Sequence, residues 1–134
     1  MARHKQYRHD DPDPSAGIAL VERILKLELP RPVPELQFEL LISEYDDYYY
    51  AISLPTGDVA TLIANLGYEI AYGNEIAELV DGDVATFIAE HKATFQPAPG
   101  DGDAVWFDPQ SGVNHWALAY ARAGWLHVRV VDTG

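Results

Sequence analysis

Cysteine is absent from all 134 residues, which excludes disulfide staples, thiolate metal sites and cysteine nucleophiles. No apolar run approaches the roughly 20 residues that cross a bilayer, and the N-terminus has no apolar signal core. These absences lead to the expectation of a cytoplasmic chain without a membrane partner. Neither glycine pattern that cradles phosphates or dinucleotides occurs. The histidines lack the short spacing of paired metal ligands, so neither a metal nor a cofactor is expected. Asp101-Gly102-Asp103 has the flavour of a calcium loop, but the twelve-residue series of oxygen ligands is missing.

Basic residues are also scarce. Nine lysines and arginines stand against 21 acids, for a net charge of −12. Between Val33 and Ala121 there are fifteen acids and one base, Lys92. Binding nucleic acid needs cations against phosphate, so direct contact with DNA or RNA is not expected. The same deficit disfavours anionic membrane surfaces. Acidity keeps such a chain soluble, and it also steers a basic protein partner.

The apolar content, 48%, is that of a globular domain. Its most conspicuous feature is a near-repeat: Gly57 to Ala64 returns 25 positions later as Gly82 to Ala89, with seven of eight residues identical. In each copy an aspartate, Asp58 or Asp83, precedes an apolar run with helical spacing, the place of an N-cap. Helices are expected over Asp58–Leu66, closed by Gly67, over Asn74–Val80 and over Asp83–Ala93. Residues 1–15, basic and then Asp/Pro-rich, read as a flexible tail ahead of a single α+β domain over 16–134. Ser15 is placed to cap a helix that gives way to extended chain near Leu27.

Strand signals come in two groups. Leu36, Phe38, Leu40 and Ile42 alternate with Gln37, Glu39 and Ser43, and Tyr48 to Leu54 alternates in turn. Pairing Ile42 with Tyr50 and Phe38 with Leu54 makes a hairpin whose loop is Tyr45-Asp46-Asp47. The second group is a three-stranded meander over Ala104–Asp108, His115–Ala121 and Trp125–Asp132, with Arg122-Ala123-Gly124 as a three-residue loop. That loop sets Tyr120 opposite Leu126 and Trp116 opposite Val130 on the core side. The expected architecture is therefore an antiparallel sheet, made of an N-terminal hairpin and a C-terminal meander, with short helices on one face.

Two candidate surfaces follow. Glu44, Tyr45, Asp46, Asp47, Tyr48 and Tyr49 set carboxylates among tyrosines at the hairpin tip, chemistry suited to a protein contact. The expected function is a small acidic binding module that inhibits or neutralises a basic, nucleic-acid-handling partner, in the manner of immunity, anti-defence or DNA-mimic proteins. The alternative is a small-molecule or enzymatic face of Trp106, His115, Trp125, His127 and Arg129, on which Arg129 pairs an anion and a histidine exchanges a proton. Ser111 lies between Asp108 and His115, but Asp-Pro-Gln-Ser-Gly is ordinary turn chemistry. No constellation identifies a catalyst. A monomer or a strand-paired homodimer are both compatible with this pattern.

Overall fold

The computed structural model describes residues 4–30, 35–43, 47–55, 57, 59–70, 104–111 and 115–132. They form an α+β arrangement of seven strands and two helices. In chain order these are β1 (His4–Arg8), α1 (Ser15–Leu25), β2 (Gln37–Ser43), β3 (Tyr48–Pro55), α2 (Val59–Leu66), β4 (Glu69–Ile70), β5 (Ala104–Phe107), β6 (His115–Arg122) and β7 (Trp125–Asp132). The strands make one sheet in the order β1-β2-β3-β7-β6-β5-β4. Each described pairing is antiparallel. The two strand groups are thus continuous, joined where β3 lies along the whole of β7 from Tyr48↔Asp132 to Pro55↔Trp125.

The tail expectation is corrected at its centre, because β1 is an edge strand on β2. Its sequence, HKQYR, has a single apolar anchor. Tyr7 sits opposite Leu40 and packs against the core. Backbone pairing supplies the rest and continues past the strand: the His9 amide donates to the Phe38 carbonyl at 3.1 Å, and the Phe38 amide donates to His9 Nδ1 at 3.1 Å. An edge strand needs no buried periodicity, which is why composition alone reads it as tail.

At the start of α1, Asp13 supplies the acceptor rather than Ser15. Its carboxylate takes hydrogen bonds from the Ser15 hydroxyl at 2.7 Å and the Ser15 amide at 3.1 Å. Those two bonds hold Asp13 below the usual carboxylate range. The helix ends at Lys26, whose φ of 56° turns the chain so that the Leu27 amide reaches the Glu22 carbonyl at 3.1 Å. Glu22 also accepts from the Leu29 amide at 2.8 Å and draws that leucine into the core. Helix and sheet approach closely at Gly17, where a Cβ would stand 2.5 Å from Cε2 of buried Phe38.

Helix α2 is the first copy of the near-repeat. Gly67 closes it as expected, with φ of 72° and its amide 3.0 Å from the Ile63 carbonyl. Its expected cap Asp58, the second copy Gly82–Ala89 and the helices expected over Asn74–Val80 and Asp83–Ala93 lie outside the described residues. Val21 and Leu25 of α1 and Leu62 and Ile63 of α2 pack with Phe38, Leu40, Ile52, Leu54, Ala117, Ala119, Leu126, Val128 and Val130. These sheet residues define the first face, and both described helices cover it.

The two expected registers fare differently. In the β2–β3 hairpin Leu40 faces Tyr50 and Phe38 faces Ile52, two residues from the expected pairing. An even offset leaves every side chain on its expected face. In the β6–β7 hairpin Tyr120 faces His127 and Ala121 faces Leu126, an offset of one. The loop is Ala123-Gly124 alone, with φ of 53° and 83°. Two positive φ angles mark the mirror-image turn whose twist matches that of paired strands. An odd offset exchanges faces. Ala117 and Ala119, not Leu118 and Tyr120, therefore share the helix-covered side with Leu126, Val128 and Val130.

Candidate functional site

The corrected register divides the aromatic and basic residues between the two faces. Trp106, opposite Ala119, and His115, opposite Asp132, belong to the first face. Trp125, His127 and Arg129 belong to the second face, opposite Pro55, Ser53 and Ala51 of β3. They do not form one surface. His127 and Arg129 are only 5% and 7% exposed, so this part of the sheet is no open groove.

Instead, the second face holds a buried polar cluster. Ser53 Oγ and His127 Nδ1 lie 2.7 Å apart in a hydrogen bond. The Tyr120 ring sits 5.0 Å from that of His127, tilted by 32°. Burial pushes the Tyr120 hydroxyl up, and the neighbouring Arg129 guanidinium pulls it partly back. Ser53 and Tyr120 are fully buried. A polar group withdrawn from water costs stability unless it is bonded, and these contacts meet that cost within the sheet. Strand alternation gave no reason to connect Ser53 with His127, 74 residues later; only the β3–β7 pairing does so.

The other cluster lies at one end of the sheet on the first face. Antiparallel pairing brings the start of β3, the end of β7, the start of β6 and the end of β5 together there. His115 stands between two carboxylates: its Nδ1 is 3.3 Å from Asp132 Oδ2 and its Nε2 is 3.4 Å from Asp108 Oδ2. The Tyr48 hydroxyl donates to Asp132. The Tyr48 and Tyr50 rings stack at 4.6 Å, inclined by 15°. Burial first and the Asp132 charge second push Tyr48 up to about 12, and the same two causes raise Tyr50. Tyr68, just after α2, is raised by burial and then by Asp108. Neutral tyrosines beside carboxylates present hydroxyl donors and aromatic faces together.

Of the hairpin-tip candidates, Asp47 and Tyr48 are part-buried members of this end, and Tyr48 is in direct contact with Asp132. Tyr49 points to the second face, opposite Val131, and is 1% exposed, so it packs instead of meeting a partner. Glu44, Tyr45 and Asp46 lie outside the described residues. Asp108, Asp132, Tyr50 and Tyr68 are not recognisable as a group from sequence because each sits in a different segment. The Ser111 hydroxyl accepts from the Ala117 amide at 3.2 Å. Among the described residues, no group of three or more His, Asp or Glu is arranged to hold a metal ion. No described helix is long and apolar enough to cross a membrane. No family model, curated protein or solved structure matches this chain, so function has to be read from the site itself.

Proposed function

We propose that this chain is a small acidic binding module that engages a basic protein partner through the loop end of its sheet and inhibits or neutralises it. A partner that handles nucleic acid fits best, because carboxylates on a rigid frame compete with phosphates for its cationic groove. The observation that carries the reading is the gathering of Asp47, Asp108 and Asp132 with Tyr48, Tyr50 and Tyr68 at one sheet end, in a chain of net charge −12. Tyrosine adds contact area at low entropy cost, and the carboxylates accelerate encounter.

The test is capture from a native lysate at low and moderate salt, comparing the wild-type chain with an Asp46→Lys/Asp47→Lys double variant. A basic protein held by the wild type, released as salt rises and bound more slowly by the variant is the expected result. Equal capture by both would remove the hairpin tip from the interface.

A further inference from the structure

Deepening that reading, and resting on it, we infer that the loop end of the sheet holds a site for a single guanidinium group, an arginine side chain of the partner, at Asp132 and the stacked Tyr48–Tyr50 pair. Three features specify the chemistry. The two rings are stacked on each other, nearly parallel at 4.6 Å, so the pair offers the outer face of a ring as an aromatic platform. The Asp132 carboxylate is close enough to receive the Tyr48 hydroxyl and to act on Tyr50 as well, so negative charge lies beside that platform. Asp132 and His115 keep 26% and 34% of their side-chain surface exposed, so a side chain from outside reaches them while part of their hydration is already gone.

A planar cation stacks on an aromatic face and donates two parallel hydrogen bonds to a carboxylate, whereas an ammonium is a compact, strongly hydrated point charge. A flat ring pair with a carboxylate beside it therefore favours arginine over lysine. A carboxylate has about four lone-pair sites, so it accepts from more than one donor at a time. Asp108, on the far nitrogen of His115, adds to the negative field at Tyr48.

The experiment is an amide-resolved NMR titration of the full chain at low salt, using N-acetylarginine amide and N-acetyllysine amide as probes. The expected result is a set of shifts confined to Tyr48, Tyr50, Asp132 and His115, with arginine saturating at a concentration at least about threefold below lysine. Asp132→Asn and Tyr50→Leu each weaken the arginine response, and Tyr50→Leu alone suffices should Asp132→Asn fail to fold. Equal responses to both cations, or an arginine response that survives Tyr50→Leu unchanged, would overturn the assignment. The module reading is judged separately. Salt-sensitive capture of a basic partner without arginine preference overturns only the guanidinium site. Arginine shifts at Asp132 with no captured partner support the guanidinium site and overturn the module.

Discussion

Tyr48 shows how much of this protein is decided by what stands across a strand. In sequence it is one of four tyrosines around Asp46 and Asp47; in the sheet it faces Asp132, lies on Tyr50 and acts on Tyr68. Burial, chiefly, pushes its hydroxyl up to about 12 from an ordinary value of about 10. Between those two values the unfolded chain loses the proton while the folded chain keeps it. The unfolded state then binds fewer protons, so stability falls as pH rises through this window, and it is fully present below. Alkaline titration followed by tyrosinate absorbance should therefore show a late-ionising group. Asp132→Asn should move Tyr48 part of the way down and leave the burial effect in place. A Tyr48 titration unaltered by that substitution would contradict the Asp132 contact.

At the scale of elements, the β6–β7 turn has the largest consequences. Ala123 is held at φ 53°, a conformation that costs a side-chain-bearing residue roughly 1–2 kcal/mol. Asparagine tolerates it better, and Asn-Gly is the preferred pair for this turn. Ala123→Asn is predicted to stabilise the chain by up to about 1 kcal/mol, measured as a higher midpoint in urea with an unchanged slope. A lower midpoint would mean that the loop is not a two-residue mirror-image turn. The same turn explains which part of the fold was legible. Both strands and their alternation were plain in Trp116, Leu118 and Tyr120 and in Leu126, Val128 and Val130. Which of those sets met the helices depended on whether Arg122 belonged to the loop or the ladder, a difference of one residue.

For the whole molecule, net charge governs the response to salt. With 21 acids and nine bases the folded chain repels itself, and counter-ions screen that repulsion over a Debye length of about 8 Å at physiological ionic strength. Tm should rise by a few degrees as salt increases from very low to moderate, although the same salt weakens any basic partner's binding. A Tm that falls over this range would show that attractive ion pairs outweigh the net repulsion. Opposite salt responses of folding and binding are the signature expected of an acidic module.

Composition and periodicity determined by themselves that the chain folds as α+β, that strands run over Leu36–Leu54 and Ala104–Asp132, and that a helix closes at Gly67. Each rests on local chemistry: side-chain alternation, a glycine at positive φ, an apolar stripe. Only the tertiary structure decided that HKQYR pairs as an edge strand, that the two strand groups share one sheet, and that His115 and His127 lie on opposite faces. Those outcomes depend on pairings across as many as 84 residues, such as Tyr48↔Asp132, whose register is set by backbone hydrogen bonds and loop parity rather than by any one residue's preference.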